Sequence, residues 1–130
     1  MNAVSEALAR AAVYRFASRL WTEPTAAQRE ELAALAGALA GDLGEFGSAL
    51  VATADPDRAT LYHAVLGPSG ACRDCESDFH GSPLAGNGPL IADIAGFYRA
   101  FAYAPEDETA AAPDHVATEL GFLGYLAMKQ

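Results

Sequence analysis

Apolar residues recur at helical spacing along most of the chain, and this periodicity restricts the fold more than any other feature. Near the amino terminus, one stripe consists of Val4, Leu8, Ala12, Phe16 and Leu20. A repeat at every third or fourth residue places one apolar face on a helix, whereas a half-buried strand would alternate. Alanine is frequent and β-branched residues are few, which favours closely packed helices over sheet. The sequence therefore predicts an all-α fold.

Stop signals and capping signals divide the chain into about six predicted helices. Thr25 and Gln28 have the spacing of a capping box, and Pro89 suits the first turn of a helix. Asp114 follows Pro113 and is expected to cap the last helix. Residues 71–88 are expected to form a loop with a short turn around 76–80, and 104–112 an acidic linker. The predicted helices are 4–21, 26–40, 43–54, 58–66, 89–103 and 115–128.

The last two predicted helices carry the widest apolar faces. The face of helix 89–103 is wide enough for the middle of a bundle, where Gly96 would let a neighbouring helix approach closely. On the final helix, His115 and Glu119 begin a second stripe that is polar at its start. The face of that helix that we expect to be buried consists of Val116, Leu120, Leu123 and Ala127.

Length and charge restrict the class of protein. One hundred and thirty residues suit a single domain over 1–130, and 52% hydrophobic residues exclude a disordered chain. The 8 basic residues against 17 acidic ones argue against a nucleic-acid partner, whereas a cationic peptide would be attracted. We find no signal peptide and no apolar run near the ~20 residues of a membrane span. The sequence thus predicts a cytoplasmic protein without an integral membrane segment.

The two cysteines form the sharpest local motif. Cys72 and Cys75 are separated by two residues, and His80 follows, as in part of a zinc knuckle. A third cysteine is absent from the sequence, and the neighbouring carboxylates would disfavour a thiolate. No motif of a catalytic site is present. We therefore expect no enzyme activity and no cofactor, and we keep a small helical metal- or redox-linked protein as the alternative.

Four stretches in the second part of the chain resemble one family in their order and spacing. The third stretch, residues 94–101, is similar to that family's GFYRAFG helix, and Ala102 follows it where glycine is usual. The family is that of the TorD/DmsD/NarJ-type chaperones for molybdoenzymes, also called redox enzyme maturation proteins. The four stretches are LYHAVLGP at 61–68, CRDCESDF at 72–79, IAGFYRAF at 94–101 and PDHVATELGFLGYL at 113–126.

The resemblance implies an all-helical cytoplasmic chaperone with no catalytic activity. Such a protein binds the twin-arginine signal peptide of a molybdopterin oxidoreductase subunit in its apo form. It holds that subunit until the cofactor is inserted and so prevents premature export through the Tat translocon. Some members of the family instead bind an enzyme that is never exported. The partners implied are therefore the signal peptide and the apo catalytic subunit.

The resemblance also implies where the peptide binds. The family's hinge, here within 104–115, contains the segment Pro113, Asp114 and His115, which is associated with peptide binding. A signal peptide offers two arginines and then an apolar helix, so a receptor needs carboxylates beside an apolar groove. The carboxylates expected to supply charge are Asp114, Glu119 and Glu76, and the expected groove residues are Tyr62, Phe79, Tyr98 and Phe122.

One departure from the family pattern concerns the carboxyl end. Members of the family usually continue past the hinge helix with further helices, whereas this chain ends at Gln130. We therefore expect a fragment of the family fold, or a domain-swapped homodimer in which a second copy covers the apolar stripe of the last helix.

Overall fold

Seven helices account for most of the residues that the structure describes. The computed structural model describes residues 2–53, 57–80, 83–105 and 112–130. Those residues contain no strand, and an isolated antiparallel bridge joins Cys75 to His115. The predicted all-α fold is confirmed, and the short turn predicted at 76–80 is the additional helix. The helices are α1 (Ala3–Leu20), α2 (Ala26–Ala38), α3 (Gly41–Ala52), α4 (Arg58–Leu66), α5 (Ser77–His80), α6 (Gly88–Ala100) and α7 (Val116–Met128).

The predicted capping box at the start of α2 forms only in part. The Thr25 hydroxyl accepts a hydrogen bond from the Gln28 backbone nitrogen at 3.1 Å, as predicted. The Gln28 side chain instead donates to the carbonyl oxygens of Arg19 at 2.8 Å and Thr22 at 3.3 Å. These bonds satisfy the side-chain nitrogen of the buried Gln28 and hold α2 against the end of α1. The Gln28 Oε1 atom is buried without a hydrogen-bond partner in the described part of the chain.

The prediction that Asp114 caps the last helix is wrong. His115 is the capping residue, since its Nδ1 atom accepts a hydrogen bond from the Ala117 backbone nitrogen at 3.0 Å. Asp114 is 1% exposed, and its Oδ2 atom accepts from the backbone nitrogen of Ser77 at 3.0 Å. The aspartate therefore lies at the start of α5, a partner that local sequence does not reveal because it is 37 residues away.

The first and last helices pack through small side chains. The Ser18 hydroxyl donates a 2.6 Å hydrogen bond to the carbonyl oxygen of Ala117. A Cβ atom at Gly124 would lie 3.5 Å from both the Ala11 carbonyl oxygen and the Tyr14 Cβ atom. Small residues let two helix backbones approach closely. The residues of α7 at this contact are therefore buried whether or not they are large and apolar. The predicted buried face of the last helix is wrong in part, because Ala127 is buried but Leu123 is 41% exposed.

A separate small core joins the first three helices. Phe16, Leu32 and Ala36 are buried together, and partly buried leucine and valine side chains pack around them. Gly47 of α3 faces this core, where a Cβ atom would lie 3.2–3.3 Å from Ala36, Leu39 and Phe16. The helical periodicity of α1 and α2 thus predicts this part of the core correctly.

Helix α6 does not lie in the middle of a bundle, and that prediction is wrong. Phe97 is 54% exposed and Phe101 is 41% exposed, while Tyr98 is buried. The nearest atom to a Cβ at Gly96 belongs to Arg99 of the same helix, so no neighbouring helix in the described part approaches there. One edge of the apolar face of α6, at Tyr98, is buried against α7, and the other edge, at Phe97, is exposed.

The hinge predicted within 104–115 falls largely on 106–111, outside the residues that the structure describes. Within the described ranges, no helix combines the length and the apolar character needed to cross a membrane.

Candidate functional site

The start of α7 and the cysteine loop form one paired unit. We define the cysteine loop as residues 72–76, which run directly into α5. The Glu76 backbone nitrogen donates to the Asp114 carbonyl oxygen at 2.9 Å, and the Val116 nitrogen donates to the Asp74 carbonyl oxygen at 2.8 Å. These bonds flank the bridge between Cys75 and His115. Two segments that resemble the chaperone family are therefore adjacent in space.

Asp114 lies at the centre of this unit. Its Oδ2 atom accepts the bond from Ser77, whereas its Oδ1 atom is buried and has no hydrogen-bond partner in the described part of the chain. A buried carboxylate oxygen without a donor is costly, since it loses hydration and gains nothing in return. The negative charge of this buried carboxylate adds to the effect of burial in raising the pKa of Cys75 and of Glu119.

His115 and Asp74 form a mostly buried pair. The His115 Nε2 atom lies 3.0 Å from the Asp74 Oδ2 atom, and the two side chains are 14% and 16% exposed. Because the Nδ1 atom accepts the bond from Ala117, the Nε2 atom must carry the hydrogen that Asp74 accepts. The bond from Ala117 and the bond to Asp74 together fix the orientation of the imidazole ring.

Two carboxyl groups meet beside this pair. The carboxyl groups of Glu76 and Glu119 lie within hydrogen-bonding reach of each other. Burial raises the pKa of Glu119, and the negative charges of Glu76 and Asp114 raise it further. Burial also raises the pKa of Tyr98, and the negative charge of Glu119 raises it further. Tyr98 and Glu119 are therefore close to each other. The cluster is a site for which a cation would compete with a proton.

An exposed aromatic face continues from these carboxyls. Phe122 lies one turn beyond Glu119 on α7, and its ring centroid is 5.8 Å from those of Phe97 and Phe101. Phe122 is itself buried, but Phe97 and Phe101 are exposed at the surface. We call the surface formed by Glu76, Glu119, Phe97 and Phe101 the acidic–aromatic surface.

Beside the cysteine loop lies a cleft of about 670 Å³. The Tyr62 hydroxyl donates to the Trp21 carbonyl oxygen at 3.2 Å, and this bond closes one wall. His63 lies 3.1 Å from a carboxylate oxygen of Glu23 on the rim. We call it the cysteine cleft, because both cysteines line it together with Asp74, Asp78, His115 and the residues just named.

The residues predicted to bind a peptide do not all reach one surface. Tyr62 and His115 line the cysteine cleft, whereas Glu76 and Glu119 belong to the acidic–aromatic surface. Phe79 on α5 is 69% exposed. Pro113 is half-buried, and its carbonyl oxygen accepts the Tyr98 hydroxyl at 2.8 Å. The buried members of the predicted set are Asp114, Tyr98 and Phe122.

Sequence reasoning missed three contributors to the site. Asp74 holds His115 from 41 residues away, and no local signal connects the two. The exposure of Phe97 and Phe101 was hidden because an apolar stripe has the same sequence whether or not another helix covers it.

The cysteines are reduced and differ in environment. Cys72 is exposed, whereas Cys75 is partly buried. Burial raises the pKa of the Cys75 thiol to about 12, and the negative charges of Asp114, Asp74 and Asp78 contribute. The cysteine is therefore protonated in the absence of a cation, which excludes it as a free nucleophile.

Comparison with known protein families identifies the chain. The family model described as nitrate reductase delta subunit matches residues 23–130, which include every helix except α1. The chain belongs to the nitrate reductase delta subunit family. Members of the nitrate reductase delta subunit family are maturation chaperones that bind the catalytic subunits of molybdoenzymes, and they are not enzymes. The resemblance to chaperones of the NarJ/TorD type is thereby confirmed at the level of the family. No curated protein and no solved structure matches the chain.

Proposed function

We propose that this protein binds the arginine-containing signal peptide of an apo molybdoenzyme catalytic subunit on its acidic–aromatic surface. Binding would hold the subunit until its cofactor is inserted and, for an exported client, would delay its passage through the Tat translocon. Because cofactor insertion precedes export, the proposal places the protein in the cytoplasm. The proposal refines the function of the family by naming the segment of the client that is bound.

The observation that carries the proposal is that an acid pair and an exposed aromatic face lie against the same two buried rings. Glu119 and Glu76 act on Tyr98, and Phe97 and Phe101 contact Phe122, which packs on Tyr98. Glu76 and Glu119 lie beside each other, and a guanidinium group between them would form several charge-assisted hydrogen bonds. Phe97 and Phe101 lie beyond them and offer apolar area to a helix that follows the arginines. A twin-arginine signal peptide has these two chemical elements in the same order.

The buried members of the predicted site take a supporting role in this proposal. Tyr98 binds the Pro113 carbonyl oxygen and packs on Phe122 with ring centroids 4.9 Å apart. Asp114 holds α5, and with it Glu76, against the start of α7. These residues would fix the spacing between the acid pair and the aromatic face without touching the peptide. His115 and Tyr62, on the cleft side, are left with a supporting role as well.

The net charge of −9 supports the same partner class. A surface of that sign attracts a cationic leader from a distance and raises its association rate, with an effect that salt weakens.

Isothermal titration calorimetry with synthetic leader peptides tests the proposal. We expect Glu119→Gln to weaken binding by about 10-fold or more, because hydrogen bonds to charged groups contribute about 1.5–3 kcal/mol. Glu45→Gln on the exposed face of α3 is the matched control and should bind as the wild type does. A peptide with lysines in place of both arginines should also bind more weakly.

The aromatic half of the surface is tested separately. Phe97→Ala should weaken the same peptide, whereas Phe46→Ala, at an equally exposed phenylalanine of α3, should not. Equal affinities of wild type, Glu119→Gln and Phe97→Ala would contradict the proposal, provided that circular dichroism shows each variant to be folded.

The predicted homodimer stays a prediction, which light scattering of the free protein and of its Phe97→Ala variant would check.

A further inference from the structure

Three ligand-type side chains converge in the cysteine cleft. One carboxylate oxygen of Asp74, one of Asp78 and the Sγ atom of Cys75 all lie within 4.8 Å of one another. The Cys75 Sγ atom is 3.7 Å from the Asp74 Oδ1 atom. Two such ligands on one tetrahedral zinc ion would be separated by about 3.6 Å, given their usual bond lengths. The group is therefore compact enough to surround a single ion with little rearrangement.

A second observation indicates a missing positive charge at this place. The buried Oδ1 atom of Asp114 has no hydrogen-bond partner among the described residues. The Asp114 backbone carbonyl oxygen accepts from the nitrogen of Glu76, the residue after Cys75, at 2.9 Å. An unpaired buried carboxylate oxygen requires an explanation, and an adjacent ion is one of the few available. Arg73 lies 3.6 Å from Asp78, and Asp74 accepts from His115, whereas the Oδ1 atom of Asp114 has no such partner among the described residues.

The orientation of Asp74 is already fixed in the way that a metal ligand requires. Its Oδ2 atom accepts from His115, which leaves the Oδ1 atom directed at Cys75. Its carbonyl oxygen accepts from Val116, so the backbone is held as well. Carboxylates that bind metals are usually held by an outer hydrogen bond of this kind.

We propose that Cys75, Asp74 and Asp78 bind one divalent transition-metal ion of the zinc type. The thiolate sulfur selects such ions over Mg²⁺ and Ca²⁺, which prefer oxygen ligands alone. On binding, the S–H bond of Cys75 breaks, a bond from sulfur to the metal forms, and the proton passes to solvent. Three protein ligands leave a fourth position open toward the cleft.

This ligand set differs from the zinc knuckle that the sequence suggests. Cys72 and His80 lie outside the group that the structure brings together, and both are exposed. The proposed ion would instead join the cysteine loop to the start of α7 through Asp74 and His115. The inference does not depend on the proposed client, because no residue of the acidic–aromatic surface is a ligand.

Titration of the full chain with Co²⁺ and with Zn²⁺ tests the site. Co²⁺ should produce the charge-transfer absorption of a cobalt–thiolate bond, and one equivalent of Zn²⁺ should remove it. Cys75→Ser should abolish the absorption, and Asp78→Asn should weaken Zn²⁺ binding by at least about 10-fold. Cys72→Ser and His80→Ala are the controls and should keep both the absorption and the Zn²⁺ affinity.

Two results would overturn the proposal. One is the absence of cobalt–thiolate absorption in the reduced wild-type protein, confirmed by calorimetry that detects no Zn²⁺ binding. The other is a loss of absorption in Cys72→Ser or His80→Ala as large as in Cys75→Ser, since the ligands would then be those of the knuckle. Circular dichroism of each variant distinguishes a lost ligand from a lost fold.

Discussion

The carboxylate of Asp114 accepts a hydrogen bond from the backbone nitrogen of Ser77, 3.0 Å away and 37 residues earlier in the chain. Together with the bridge between Cys75 and His115, this bond joins the cysteine loop to the start of α7. Two segments that carry the family resemblance are therefore held together by hydrogen bonds. A change at Asp114 should affect both the acid pair and the cysteine cleft.

Replacement of Asp114 is the most direct test of this relationship. We expect Asp114→Ala to lower the free energy of unfolding by about 1–3 kcal/mol, because the Ser77 nitrogen loses its buried partner. Urea denaturation followed by circular dichroism measures the change. Asp93→Ala, at an exposed carboxylate of α6, should stay within about 0.5 kcal/mol of the wild type. The double variant with His115→Ala should also bind leader peptides more weakly, and undiminished affinity would contradict the assigned role of the hinge.

The packing of α1 on α7 predicts a size limit at Gly124. We expect Gly124→Leu to destabilise the fold by about 1–3 kcal/mol, since its side chain would meet Ala11 and Tyr14 and separate the helices. At Gly37, in α2, a Cβ atom would meet nothing within 4 Å. Gly37→Leu is therefore the control and should be neutral or stabilising. Thermal denaturation of both variants decides, and equal melting temperatures would show that the two helices do not pack this closely.

The shifted pKa of Glu119 predicts a pH dependence of stability. Because burial raises this pKa, the folded protein binds the proton more tightly than the unfolded chain does. The contribution is fully present below the ordinary value of 4.5 and is lost as the pH rises through the raised value. In Glu119→Gln, the unfolding free energy should therefore fall less than in the wild type as the pH rises above 4.5. Parallel pH profiles of the two proteins would contradict the placement of the acid pair.

Tyr98 holds the hinge to α6 with its hydroxyl group. Burial raises the pKa of Tyr98, so the hydroxyl remains a donor to the Pro113 carbonyl oxygen at neutral pH. We expect Tyr98→Phe to cost about 0.5–1.5 kcal/mol of unfolding free energy. Hydrogen exchange should also become faster at the amides of α5 and at the start of α7, while α2 and α3 remain unchanged. If the amides of α5 and α7 exchange at the same rates in Tyr98→Phe as in the wild type, this hydrogen bond does not order the hinge.

Sequence periodicity was sufficient for the helices because their formation depends on near neighbours. The stripe from Val4 to Leu20 gives α1, and Thr25 and Pro89 mark the starts of α2 and α6 to within a residue. The family could also be predicted, since its motifs are short stretches that persist in linear order. Peptide binding by those motifs stays a prediction, because it requires a partner.

Residue type alone could not decide which face of a helix is buried. Leu123 and Phe97 are apolar but exposed, whereas Gly124 and Ser18 lie in the contact between α1 and α7. Helices approach where side chains are small, and that depends on the match between two surfaces remote in sequence.

The position of Asp114 illustrates the same division. The sequence by itself determined that Asp114 follows a proline and precedes a helix, and both statements are correct. Only the tertiary structure decided that its carboxylate accepts a hydrogen bond from Ser77, and that Asp74 accepts one from His115. Hydrogen bonds between residues 37 and 41 positions apart depend on how the intervening helices pack, and no local pattern records that packing.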